Sequence, residues 1–180
     1  IHGGGEAVSS LSRRLGLEPV FKDGVRQTSL PEMEAVDMVL GGKVNTFLVR
    51  RFAAAGAKPV GLTGCDSGTF TGTAAAPESR TGRITEADPG LILDLLDRGY
   101  IPIVASTSMD RTGEPLNINA DEAALEIACR LKAWTLLFLS DTPGILKDGT
   151  PLPVITPSRA DKEIAEGVIT GGMIPKVTSS

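Results

Sequence analysis

Glycine occupies residues 3, 4 and 5, between the apolar entry Ile1-His2 and a stretch in which Ala7, Val8, Leu11 and Leu15 recur at helical spacing. Gly16 then supplies a residue suited to a left-handed helix C-cap. The order is strand, glycine turn, helix, which commits the chain to an architecture in which strands feed directly into helices. It also sets flexible backbone amides at a helix N-terminus, where unpaired N–H groups and the helix dipole favour an anion. The turn is either such an anion cradle or only a tight turn. A dinucleotide fingerprint would need glycine where Val8 stands, and a P-loop would need Gly-Lys-Ser/Thr, whereas Pro175 precedes Lys176.

The same alternation continues. Ser29-Leu30-Pro31-Glu32 reads as a capping box with proline in the first turn. It opens the longest helix, with Met33, Val36, Leu40, Val44, Phe47, Leu48 and Phe52 on one face, ending near Gly56. A strand is predicted at 59–62, then hairpins in the Gly-, Thr- and Pro-rich stretch through Arg83, and a helix at 91–98 closed by Gly99. Next come a strand at 101–105, a helix at 123–131, a buried strand at 135–139, and a helix capped by Ser158 and ending at Gly167. Helices alternating with short apolar strands imply parallel βαβ units and an α/β fold covered on both faces. In such sheets ligands collect beyond the carboxyl ends of the strands, where several polar motifs fall here.

With 180 residues, 41% hydrophobic, the chain has material for a real core. Its net charge of -4 argues against a dedicated nucleic-acid surface and for small-molecule partners. Cys65 and Cys129 lie far apart without metal-ligand spacing, which fits a reducing cytoplasm. No apolar run approaches the ~20 residues that span a bilayer. The chain opens on Ile1 rather than Met and closes at 177–180 within what reads as the start of another element. An excerpt of a longer chain is expected, truncated at both ends.

Candidate chemistry beyond the glycine tract lies in six places. His2 is the only histidine and reads as structural beside the glycine turn unless a catalytic partner reaches it. Arg26 is either a surface arginine or a bidentate fork for a substrate carboxylate. Asn117 and Asn119 alternate with Ile118, so both amides share one side of an extended segment, an arrangement suited to an acylamino or carboxylate ligand. Asp121 starts the following helix, as a cap or as a functional carboxylate. Ser140-Asp141-Thr142-Pro143-Gly144 is a strand-end turn, plain or facing a nucleotide, and Lys176 ends a Gly-Gly-Met-Ile-Pro-Lys run that can bring an ammonium to a phosphate.

In combination these motifs are far more specific than any one of them. From residue 1 to 176 the chain resembles the amino acid kinase family, in particular its branch acting on acetylglutamate. The matching stretches are HGGG (2–5), RLGLEPVFKDGVR (14–26), MVLGGKVN (38–45), GYIPIVA (99–105), NINADEAA (117–124), LSDTPGIL (139–146) and GVITGGMIPKV (167–177). The resemblance implies a three-layer αβα sandwich with a mainly parallel central sheet. Residues 1–139 would form an N-terminal lobe that binds the acylamino acid, and 140–180 part of a C-terminal nucleotide-binding lobe.

It further implies ATP-dependent phosphorylation of the side-chain carboxylate of N-acetyl-L-glutamate on the route to arginine, with Mg²⁺ held mainly by phosphates, and a homodimer or higher homo-oligomer. Gly4 and Gly5 would bind the substrate and the moving phosphoryl group, and Arg26, Asn117 and Asn119 the acetylamino acid. Asp141, Thr142, Gly144, Ile145, Val168, Ile169 and Thr170 would line the nucleotide. Lys176 would stabilise phosphate charge while Asp121 orients it. A related aminoadipate kinase and a noncatalytic sensing module are the rival readings. The family's Lys-x-Gly-Gly segment would precede Ile1, so the 180-residue piece alone is expected to be inactive.

Overall fold

The computed structural model describes residues 1–22, 24–139, 144–147, 150–169 and 177. His2 bridges Ala105 in parallel, and the glycines turn the chain into α1 (Gly5–Arg14). Glu6 in the first turn and Arg13 and Arg14 in the last complement the helix dipole. Gly16, at φ 77°, closes it as anticipated, with Leu17 N–H returning to the Ser12 carbonyl. A short hairpin follows, β1 (Phe21–Lys22) against β2 (Val25–Arg26).

The long helix is three pieces: α2 (Leu30–Asp37), a π-helical segment (Met38–Val44) containing Gly41 and Gly42, and α3 (Asn45–Ala54). Ser29 caps it through the Glu32 N–H, with Pro31 in the first turn. The single apolar face predicted for it does not hold. Met33, Val36 and Leu40 are buried, but Phe47 and Phe52 are exposed, and Val39 and Asn45 point inward instead. Wider π turns rotate everything downstream relative to a 3.6-residue period, and the sequence period alone does not reveal that slip.

Next come β3 (Pro59–Thr63), β4 (Phe70–Ala74), β5 (Thr81–Ala87), α4 (Gly90–Asp97), β6 (Ile101–Ala105), β7 (Thr107–Met109), β8 (Pro115–Ile118) and α5 (Ala120–Leu131). β3 and β6 pair in parallel from Pro59–Ile101 to Thr63–Ala105. The stretch expected as hairpins supplies the antiparallel pair β4/β5, which joins β8 and β7 in a mixed sheet of order β4-β5-β8-β7.

Successive residues of β6 face opposite layers, as the pleat requires. Val104 packs with Phe70, Ile92 of α4, Leu116 and Ile118 of β8, and Ala123 and Ile127 of α5. Ala105 packs with Val8 of α1 and Met33, Val36, Val39 and Leu40 of the long helix. Helices thus cover both faces of a parallel centre: the three-layer α/β arrangement.

The predicted strand at 135–139 is absent. Residues 135–139 carry no strand assignment, and Leu137 is 74% and Leu139 87% exposed. An apolar run acquires strand structure only from an edge to pair with. Farther on, β9 (Leu146–Lys147) pairs with β10 (Thr150–Pro151), and α6 (Pro157–Ala165) is joined to β9 by Lys147 Nζ, which donates to both Glu163 carboxylate oxygens at 2.7 and 2.8 Å. Thr156, not Ser158, is the cap residue of α6, because Pro157 already occupies the first helical position. No helix among the described residues is long and apolar enough to cross a membrane.

Candidate active site

A cavity of about 660 Å³ opens at the N-terminus of α1. It gathers five polar positions singled out from the sequence besides the glycines: His2, Arg26, Asn117, Asn119 and Asp121, together with Gly4 and Gly5. The β1/β2 hairpin contributes Phe21 and Arg26, and Leu137, Phe138 and Leu139 form part of the wall.

The three glycines differ in what surrounds them. A Cβ on Gly4 would lie 2.9 Å from Leu40 Cδ2 and 3.1 Å from Val44 Cγ2, and one on Gly3 would lie 3.2 Å from Ala120 Cβ, while one on Gly5 would meet nothing within 4 Å. Packing is therefore tight at Gly4 and close at Gly3. At Gly5 the space in front of the backbone stays open. Gly4→Ala is expected to cost about 1–3 kcal/mol by overpacking, whereas Gly5→Ala should leave stability within about 0.5 kcal/mol. Urea unfolding of both variants measures this, and a ligand that needs the open face of Gly5 would lose affinity in the second variant alone.

Arg26 is no surface arginine. It is 8% exposed, and its Nη1 donates to Glu32 Oε1 at 2.6 Å while Nη2 donates to the Gly5 carbonyl at 2.9 Å and to Ser9 Oγ at 2.6 Å. Its guanidinium also lies 4.7 Å from the Phe21 ring centroid. The fork expected for a ligand carboxylate is thus engaged first with the protein's own carboxylate. Glu32, read from sequence as half of a capping box, turns its side chain to Arg26 and to Ser12 Oγ. Only the Ser29 arm of the box forms.

Asn117 and Asn119 flank the buried Ile118, as the alternation required. Asn117 Nδ2 donates to Thr28 Oγ1 at 2.8 Å, and Thr81 Oγ1 accepts from the Thr28 N–H and donates to the Arg26 carbonyl, both at 2.8 Å. This network ties β8 to the segment after β2. Asn119 is the cap of α5, its Oδ1 accepting from the N–H groups of Asp121 and Glu122. Asp121 therefore sits in the first turn rather than at the cap. It is the only carboxylate among the described residues that line the cavity.

His2 is structural in its contacts. Nδ1 meets the Gly3 carbonyl at 2.9 Å and Nε2 meets Asn45 Nδ2 at 3.1 Å. Burial lowers its pKa below 6.5, against a raising contribution from the Gly3 hydrogen bond. Gly144, Ile145, Val168 and Ile169 lie away from the cavity lining, with Val168 and Ile169 N–H both directed at the Glu163 carbonyl. Asp141, Thr142, Thr170 and Lys176 lie outside the described residues. Nothing local marks Glu32, Ser9, Thr28 and Thr81 as partners, since each is an ordinary polar residue until the fold closes around it.

The amino acid kinase family model matches residues 1–180, the whole chain. The chain belongs to the amino acid kinase family. Acetylglutamate kinase of Synechococcus sp. (strain RCC307) is 40% identical over 98% of this chain and 62% of its own length. Acetylglutamate kinase of Bacillus subtilis (strain 168) is 38% identical over 100% of this chain and 70% of its own. The chain thus spans between six- and seven-tenths of these amino acid kinases. Among solved structures, smu.665 from Streptococcus mutans UA159 superposes with a TM-score of 0.94 at 30% identity, covering 99% of this chain and 74% of that one. The N-acetylglutamate synthase from Neisseria gonorrhoeae complexed with coenzyme A and N-acetyl-glutamate has a TM-score of 0.82 at 19% identity, over 99% of this chain and 42% of that one, a likeness of fold.

Proposed function

We propose that this chain carries the substrate half of an ATP-dependent kinase that phosphorylates the side-chain carboxylate of N-acetyl-L-glutamate, giving N-acetylglutamyl phosphate for arginine biosynthesis. The observation that carries this reading is the cavity itself, where the open amide end of α1 faces Arg26, Asn117, Asn119 and Asp121. Relatives named acetylglutamate kinase, about 40% identical over nearly the whole chain, support the choice of substrate.

The chemistry is consistent with these residues. A glutamate side chain, with a reference pKa of about 4.3, is already an anionic nucleophile at neutral pH, so no general base is needed. Positioning and charge neutralisation then supply most of the catalysis. In this reading the amides of Gly4 and Gly5 hold the migrating phosphoryl group, and Arg26 and Asn117, with Asn119 at the pocket's edge, hold the acetylamino acid. Lys176 neutralises phosphate charge, and Asp121 orients it.

Residues 140–180 belong to the nucleotide-binding lobe, with Asp141, Thr142, Gly144, Ile145, Val168, Ile169 and Thr170 against ATP. Among the described residues no group of three or more His, Cys, Asp or Glu side chains gathers as a metal site. Asp121 is the single carboxylate among the described residues that line the cavity, and in this reading Mg²⁺ would be carried mainly by the nucleotide phosphates, neutralising their charge. The exposed Phe47 of the long helix suits a homodimer contact. Full-length protein assayed with ATP and hydroxylamine trapping of the acyl phosphate should respond to N-acetyl-L-glutamate. Response to an aminoadipate derivative instead would transfer the protein to the lysine-pathway branch, and silence with both would reject the kinase reading.

A further inference from the structure

Asn45 is 5% exposed at the start of α3, and its Nδ2 reaches three acceptors: the Ile103 carbonyl at 2.7 Å, the Leu62 carbonyl at 3.1 Å and His2 Nε2 at 3.1 Å. It therefore joins the helix to β3, β6 and the entry segment at one point. A gap is kept for it in the sheet. A Cβ on Gly61, in the interior of β3, would lie 2.2 Å from Asn45 Oδ1.

The two backbone carbonyls accept only, so they fix which end of the carboxamide is NH₂. The two hydrogens of that NH₂ are shared among the three, and because an amide nitrogen does not accept, His2 Nε2 can be only an acceptor in this contact. The Gly3 carbonyl at Nδ1 likewise accepts only, so Nδ1 must carry the proton. Both ring nitrogens are thereby assigned, and an imidazolium would set an N–H against an N–H. The His2 backbone is itself held, donating to the Val104 carbonyl at 2.9 Å and accepting from the Ser106 N–H at 3.1 Å. Because carbonyl and N–H are antiparallel across a trans peptide, anchoring the Gly3 carbonyl on the ring turns the Gly4 N–H to the opposite side.

We propose that Asn45 is a positioning residue for the glycine tract: its carboxamide selects the Nδ1–H tautomer of His2, whose ring grips the Gly3 carbonyl and so aims the amides at the α1 N-terminus into the cavity. The effect on turnover rests on the kinase reading, while the tautomer does not. The experiment is a long-range ¹H–¹⁵N correlation spectrum of the imidazoles in ¹⁵N-labelled full-length protein, with the His2 signals assigned by their loss in His2→Gln.

The wild type should show protonated Nδ1 and bare Nε2, and Asn45→Asp, which offers Nε2 an acceptor, should protonate Nε2 and shift the Gly4 amide resonance. With N-acetyl-L-glutamate and ATP, kcat of Asn45→Asp should fall at least about tenfold while KM changes less than about threefold. If that variant does not fold, Asn45→Ser, which keeps a single donor, takes its place with a lost tautomer preference and the same kcat-over-KM split. A wild-type Nε2–H tautomer, an unaltered tautomer in the folded variant, or an altered tautomer with unchanged kcat each overturns the proposal. No turnover by the wild type, with tautomer and Gly4 amide still responding, rejects the substrate reading and upholds the positioning.

Discussion

Glu32→Ala is expected to cost the full-length protein about 3–5 kcal/mol of unfolding free energy, because it strands the Arg26 guanidinium in a buried site. Glu32 is 3% exposed, and its Oε1 takes hydrogen bonds from both Arg26 Nη1 at 2.6 Å and Ser12 Oγ at 3.1 Å. Desolvation of the two charges has been met by this geometry, so removing one partner exposes the full penalty on the other. Arg26→Ala should be comparably destabilising and should also raise the KM for the acylamino acid, since Arg26 both lines the cavity and holds the Gly5 carbonyl.

Replacing both partners by apolar residues, as in Arg26→Met with Glu32→Leu, should restore most of the stability while leaving KM high. Urea unfolding of the single and double variants measures the pair, and additivity of the two single losses would show that the ion pair is not the unit involved. An unchanged KM in the stable double variant would remove Arg26 from ligand binding.

Phe70→Ala is the other large effect, about 3–5 kcal/mol from lost burial and the cavity left behind. The ring is 0% exposed in the cluster with Ile92, Val104, Leu116, Ile118, Ala123 and Ile127. Gly64 lies against it so closely that a Cβ there would stand 2.4 Å from Phe70 Cε2. Gly64→Ala should therefore also destabilise, and combining it with Phe70→Leu should recover part of the loss. The consequence for function is indirect: Leu116 and Ile118 anchor the strand that displays Asn117 and leads to Asn119. Thermal unfolding followed by circular dichroism reads the stability loss, and a loss under about 1 kcal/mol would mean the surroundings collapse onto the vacated site.

Much of this architecture is legible locally. Val8, Ala7 and Leu11 at helical spacing, Gly16 past the last turn, Ser29 before Leu30-Pro31, and Gly99 after 91–98 announce their elements because capping and amphipathicity act within a few residues. The glycine tract and the Asn117-Ile118-Asn119 alternation likewise located the polar lining of the cavity, since backbone periodicity decides which side chains share a face. The apolar run at 135–139 misled, because strand formation needs a neighbour's backbone and composition cannot supply one.

Left to itself, then, the sequence determined the sites of the main helices, the α/β class and the polar positions that border the cavity, all products of interactions spanning a few residues. Tertiary structure alone decided that Arg26 is held by Glu32 of the following helix, that the π-helical turns bring Asn45 onto β3 and β6, and that the His2 ring lies between the Gly3 carbonyl and the Asn45 carboxamide. Those outcomes depend on burial and on hydrogen-bond partners brought from distant segments, and burial is a property of the closed chain rather than of any stretch of it.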